Sequence, residues 1–194
     1  EEVLMSTNAH PTVPEFEYIK PDSLEGASAF LLKHAGESRP LAGGTDSFVR
    51  MRDGFWKEKY LVDIKKLPGM DQIEFDPREG VTIGAAVTMN RIAAFDPIKE
   101  FYGALAEAAE SVASYQLRNR ATMVGNICNA SPAGDTLGAC LLYEGLACIY
   151  GSDGEREVKL SEFFKGPGKT VLEAGEIVTC VKLPPPPEGS AGVY

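Results

Sequence analysis

The stretch "RPLAGGTDSFVRMR", residues 39–52, sets two glycines and a threonine between an apolar run and a segment with helical character. A strand, a glycine turn and a helix start together present backbone N–H groups that the helix leaves unpaired, and such groups bind anions. Gly43 and Gly44 permit positive φ and leave room for a phosphate to approach without meeting a Cβ. Thr45 adds a hydroxyl, and Asp46 either caps the helix or accepts a bond from a ligand hydroxyl. The pattern is neither GxGxxG nor GxxxxGKS/T, so neither common nucleotide fingerprint applies. Taken alone, the loop serves equally well as a tight turn before a helix.

A second stretch changes that balance. "RNRATMVGNICNASPAGD", residues 118–135, reads as a long loop, rich in small residues and without hydrophobic periodicity. Compact domains seldom hold so long a loop unless it has a task. Thr122, Asn126, Asn129, Ser131 and Asp135 supply donors and acceptors, while Gly125 and Gly134 allow close approach. Asp135 either caps the helix begun by "TLGACLLY" or contacts a ligand. Cys128 is read as packing.

The bulk properties narrow the partners. A formal net charge of −9 over 194 residues argues against nucleic acid or an anionic membrane, because neutralising phosphates needs clustered Lys and Arg. The basic run at Arg118 and Arg120 is short and local. The four cysteines, at 128, 140, 148 and 180, lack CxxC spacing, and only His10 and His34 could join them. No metal or iron–sulfur site is expected from this chain, and the thiols read as free in a reducing, cytoplasmic setting. No run approaches the ~20 apolar residues of a membrane span. Residues 1–14 lack the basic start and apolar centre of a secretory signal and read as an irregular leader.

Elements must bring the two stretches together. "EFEYIK" (15–20) has the alternation of an edge strand, and Ser23 or Asp22 caps a helix from Leu24 to His34. "PLA", the helix "DSFVRMR" and the strand "YLVDI" (60–64) complete a β-α-β-α-β run, which implies parallel strands with right-handed crossovers. Beyond Gly69, "QIEFD" and "GVTIGAAVT" are strands, and "MNRIAAF" and "GALAEAAESVAS" (103–114) are helices. Strands flank the Ser152-Asp153-Gly154 turn, and "EIVTCVKLP" (176–184) is a last strand before a proline-rich exit. The reading is α+β, with a small βαβ-rich lobe at 15–66, a larger α+β lobe at 67–184 and an exit segment at 185–194.

"PLAGGTD" followed by "RNRATMVGNICNASPAGDT" closely resembles the FAD-binding medium subunit of the molybdenum hydroxylases, the family of carbon monoxide dehydrogenase and the xanthine dehydrogenases. "EFEYIKPDSLEGA", "LVDIKKLPGM", "GVTIGAAVTMNRIA" and "FFKGPGKTVLEAGEIVTCVKLP" extend the resemblance over residues 15–194. It implies the two-lobed FAD-binding fold of the p-cresol methylhydroxylase type, with FAD between the lobes. By position, Leu41, Ala42, Gly43, Gly44, Thr45, Asp46 and Ser47 would form one pyrophosphate loop, with the backbone N–H groups of 42–46 on the phosphates. Thr122, Met123, Val124, Gly125 and Asn126 would form the other. Asp135 matches a position near the ribose or adenosine part, while Val112 or Ala113, and Ile177 or Val178, match positions lining the site.

The implied activity is electron transfer by an oxidoreductase subunit, with no catalytic acid or base on this chain. A large partner would carry a molybdopterin cofactor, a small partner two [2Fe–2S] clusters, and the FAD would pass electrons to an external acceptor. The family continues into a further small domain where this chain reaches Tyr194, so that domain is expected on a longer chain or on another one. Two other readings stand beside this one. One is a stand-alone flavoprotein of the same fold class, such as a cell-wall precursor reductase, which would need an acid or base near the flavin. The other is a docking module that has lost flavin, which intact glycine loops argue against.

Overall fold

Strand β1 (Glu17–Ile19) leads through Ser23, whose Oγ accepts the Gly26 N–H at 3.0 Å, into helix α1 (Leu24–Lys33). Strand β2 (Ser38–Leu41), helix α2 (Thr45–Arg52) and strand β3 (Tyr60–Asp63) follow. These assignments come from a computed structural model that describes residues 12–190 and 192–194. Most of the leader read at 1–14 lies outside the described residues. β3 runs parallel to β1 on one side and to β2 on the other, so the predicted parallel sheet forms with β1 at its edge. A central parallel strand is covered on both faces, which is why "YLVDI" is apolar without alternation and why Leu61 and Val62 are fully buried.

The second sheet is antiparallel. Strands β4 (Ile73–Asp76) and β5 (Gly80–Gly84) form a hairpin around the predicted turn. β5 is shorter than "GVTIGAAVT" suggests. The Ala85 N–H still bonds to Thr179 O of the last strand at 2.9 Å, but the Ala86 N–H turns to Met70 O at 2.6 Å, which draws the chain off the ladder while Ala85 and Val87 stay buried. Six helices come next: α3 (Met89–Ala94), α4 (Asp96–Phe101), α5 (Gly103–Ser111), α6 (Tyr115–Arg118), α7 (Met123–Asn129) and α8 (Asp135–Leu142). The residues 118–135 expected as one loop thus contain a helix. Thr122 caps it, its Oγ1 accepting the Gly125 N–H at 3.1 Å, and Met123, Val124 and Ile127 bury a stripe too short to show as periodicity.

Strands β6 (Leu146–Gly151) and β7 (Gly154–Lys159) close the expected hairpin at Ser152-Asp153. A short helix α9 (Leu160–Phe163) and a small ribbon of β8 (Phe164–Gly166) and β9 (Lys169–Thr170) lead to β10 (Ile177–Leu183). β10 inserts between β5 and β6, giving the order β4-β5-β10-β6-β7. One hydrophobic core runs from Ala27 and Leu31 of α1 through Ile83, Leu105 and Ile127 to Val181, and so joins both sheets. A second, small core of Leu41, Met51 and Leu61 lies beneath Phe16 and Trp56. The architecture is mixed α/β. No helix among the described residues is long and apolar enough to cross a membrane.

Candidate functional site

A cleft of about 350 Å³ opens between the N-terminal sheet and the antiparallel one. Both loops reach it. Ala42, Asp46 and Ser47 come from the first, Val124 and Gly125 from the start of α7, and Ile177 and Val178 from the head of β10. The central placement of β10 is what delivers those last two residues.

The first loop is built to leave donors free. Gly44 is the N-cap of α2 at φ +77°, in the left-handed region, and no side chain caps the helix. Asp46, a possible cap by sequence, sits one residue inside it. Among the described residues, the backbone N–H groups of Ala42, Gly43, Gly44, Thr45, Asp46 and Ser47 find no protein acceptor. Six successive unpaired N–H groups at the positive end of a helix form an anion cradle. An elongated dinucleotide with a pyrophosphate at its middle fits that donor set, and the cleft lies in the usual size range for a small-ligand site.

Gly43, unlike Gly44, does not take the positive φ that the sequence reading allowed it, and the protein itself requires its missing side chain. A Cβ there would stand 2.0 Å from the backbone O of Arg120 and 3.2 Å from the Cα of Ala121. The missing side chain lets the two loops pack backbone to backbone, which sets their spacing. The loops are also tied by side chains, since Asn129 Nδ2 donates to Asp46 Oδ2 at 3.3 Å.

Several expected residues support the cleft without lining it. Leu41 belongs to the small core, and Met123 is fully buried with its Sδ 3.5 Å from Cys140 Sγ. Thr122 is spent on its capping bond, and Asn126 Oδ1 accepts the Thr136 hydroxyl at 2.8 Å. Asp135 occupies the first turn of α8 behind its N-cap Gly134 and stands outside the lining. Val112 ends α5, is buried, and gives its carbonyl to Arg118 at 2.9 Å, also outside the lining.

Other lining residues escaped the sequence reading. The single tryptophan, Trp56, walls the cleft under the Arg39 guanidinium, 3.7 Å from its ring, and Arg39 is fixed by Glu58 at 2.7 Å. This stack holds a cation at the cleft. Cys128 lines the cleft as well as packing on the core, and burial pushes its thiol up to about 12, so it stays protonated and apolar. Residues 168–176 close the far side, where Gly175 O accepts the buried Ser28 hydroxyl at 2.8 Å. Only the pairing of distant segments reveals these members.

Comparison with known proteins gives a consistent result. The family model of the FAD binding domain in molybdopterin dehydrogenase matches residues 14–186. The nicotinate dehydrogenase FAD-subunit of Eubacterium barkeri is 34% identical over 186 residues, covering 93% of this chain and 62% of that protein. The carbon monoxide dehydrogenase medium chain of Hydrogenophaga pseudoflava is 30% identical over 181 residues, covering 93% and 63%. The solved carbon monoxide dehydrogenase of Hydrogenophaga pseudoflava superposes with a TM-score of 0.87 at 31% identity, over 91% of this chain and 61% of that one. Quinoline 2-oxidoreductase from Pseudomonas putida 86 gives 0.85 at 26%, over 91% and 61%. The chain therefore spans somewhat under two thirds of the proteins it resembles.

Proposed function

The chain belongs to the family of FAD-binding domains of molybdopterin dehydrogenases, and from that premise we propose that it is the flavin-holding, electron-transferring part of a molybdenum-containing dehydrogenase. The observation that carries the reading is the run of unpaired N–H groups at 42–47, aimed from a helix start beside the cleft. In this reading the N–H groups of 42–46 hold the pyrophosphate from one side, and Val124 and Gly125 confine it from the other. Asp46 and Asn129 keep the two loops in register. Ile177, Val178 and Cys128 give the cleft an apolar wall that excludes water, and Arg39, stacked on Trp56 and paired with Glu58, adds a fixed guanidinium.

FAD, when bound, supplies the electron-carrying chemistry; the protein supplies binding, orientation and electrostatics. We assign the remaining partners by the same reading: a large subunit with a molybdopterin cofactor, and a small subunit with [2Fe–2S] clusters that deliver electrons. An external acceptor takes them away. The four free cysteines suit a reducing, cytoplasmic setting.

The test is an absorbance spectrum of the purified chain with added FAD, together with mass spectrometry of the released cofactor. FAD bound near one per chain is expected. Failure to retain FAD, both by this chain and by a version extended to the length of its relatives, overturns the proposal.

A further inference from the structure

On the five-stranded sheet, just past a register irregularity between Val178 and Cys180, Cys180 of β10 stands opposite Cys148 of β6. We propose that these two residues form an oxidisable dithiol, which a peroxide converts into a cross-strand disulfide.

Directly opposed residues on antiparallel strands share a face, with Cβ atoms ~4.5–5.5 Å apart. A disulfide needs a Cβ separation of ~3.5–4.5 Å and a Cα separation of ~4.4–6.8 Å, so a small closing movement suffices. Both residues are half-buried and reachable by a small oxidant. The other two thiols lie outside the sheet, Cys128 on helix α7 and Cys140 on helix α8. Cys140 is fully buried against Met123, and burial pushes both it and Cys128 up to about 12.

The surroundings divide the labour between the pair. The neighbouring Cys148 and the Lys182 ammonium lower the Cys180 thiol against the opposing effect of burial, and the Thr179 hydroxyl donates to the Cys148 carbonyl at 3.3 Å. The proximity of Cys180, together with burial, raises the Cys148 thiol. Lys182 is held by Glu157 at 2.6 Å, and Glu157 Oε1 lies 3.9 Å from Cys148 Sγ. With the Lys182 ammonium two residues along β10 from Cys180 and the Glu157 carboxylate beside Cys148, Cys180 is assigned as the thiolate nucleophile and Cys148 as the resolving thiol.

The chemistry balances with a peroxide as oxidant. The Cys180 thiolate attacks one peroxide oxygen, the O–O bond breaks, and Cys180 becomes a sulfenic acid as hydroxide departs. Cys148 sulfur then attacks the Cys180 sulfur, the S–O bond breaks, and the thiol proton goes to the departing oxygen. In sum, two thiols are oxidised to one disulfide and hydrogen peroxide is reduced to two waters. The new bond would tie β10 to β6 two residues from Val178, at the cleft.

The experiment treats the purified chain with hydrogen peroxide, quenches by alkylation in denaturant, and maps the peptides. Loss of two of the four thiols is expected, with the peptides of Cys148 and Cys180 linked and released again by dithiothreitol. In Cys148→Ser no link forms and dimedone captures a sulfenic acid on Cys180. Alkylation of both residues unchanged after treatment, or linkage through Cys128 or Cys140 instead, overturns the proposal. Capture on Cys148 in Cys180→Ser at an equal rate overturns the division of roles.

Discussion

Asn129 Nδ2 donates to Asp46 Oδ2 at 3.3 Å, joining two loops that lie 83 positions apart in the chain. One partner sits in the first turn of α2 and the other is the last residue of α7. The bond is exposed, so its contribution to stability is small, about 0.5–1 kcal/mol. Its greater effect is on the spacing of the cradle. Asp46→Ala and Asn129→Ala should each weaken FAD binding about two- to fivefold. A double-mutant cycle by flavin fluorescence titration checks this. Additive losses would show that the two residues act independently.

Gly43 yields a sharper expectation. A methyl group there meets the Arg120 carbonyl oxygen at 2.0 Å, backbone against backbone, with no flexible side chain to yield. Gly43→Ala should lose about 3 kcal/mol of stability, at the upper end of the overpacking range, and lose flavin with it. Gly138, inside α8 with open space around it, is the control: Gly138→Ala should gain up to about 1 kcal/mol. Urea denaturation of both variants decides. A Gly43→Ala chain that unfolds like the parent while losing flavin would assign Gly43 to phosphate clearance and not to loop packing.

Thr122 links a helix cap to the site. Its Oγ1 accepts the Gly125 N–H, and Gly125 lines the cleft. Thr122→Ala should cost about 1 kcal/mol and reduce flavin retention, whereas Thr122→Ser keeps both. Thermal melts with and without FAD separate the two effects. Equal behaviour of the two variants would remove the cap from the account.

The N-terminal sheet carries a pH-sensitive pair. Tyr18 OH donates to Asp63 Oδ2 at 2.5 Å, and Lys65 Nζ lies 2.6 Å from Asp63 Oδ1. Burial opposes ionisation of Asp63, yet Lys65 and Tyr18 outweigh it and hold the carboxyl below its usual range. Burial and the Asp63 carboxylate push the Tyr18 hydroxyl up to about 12. The depressed acid contributes stability above its unfolded value of ~4, lost as pH falls through the folded one. The raised phenol contributes stability below ~10, lost as pH rises toward about 12. Stability from this pair should therefore be fully present between about pH 4 and 10. Tyr18→Phe should remove the alkaline loss and shrink the acid one, as chemical denaturation across pH would show. An unchanged alkaline limb would refute the assignment.

Much of the fold was legible because it is written locally. Ser23 as a cap, the unbroken apolar strand at 60–63, the turn at 152–154 and the alternation at 81–83 each follow from neighbouring residues. The free donors of 42–47 follow from the order of strand, glycines and helix start. Helix α7 was hidden because its apolar stripe, at 123, 124 and 127, spans little more than one turn, and packing rather than propensity holds it.

The chain alone thus determined its parallel and antiparallel halves, its paired loops and their resemblance to a flavin clamp. Tertiary structure decided the rest. It placed β10 between β5 and β6, brought residues 168–178 to the cleft, set Arg39 on Trp56, and pressed Gly43 against Arg120. Local periodicity reports which face of an element is buried, but not which distant backbone will meet it. Those contacts depend on the register between strands and loops far apart in the chain, which forms only when the whole core closes.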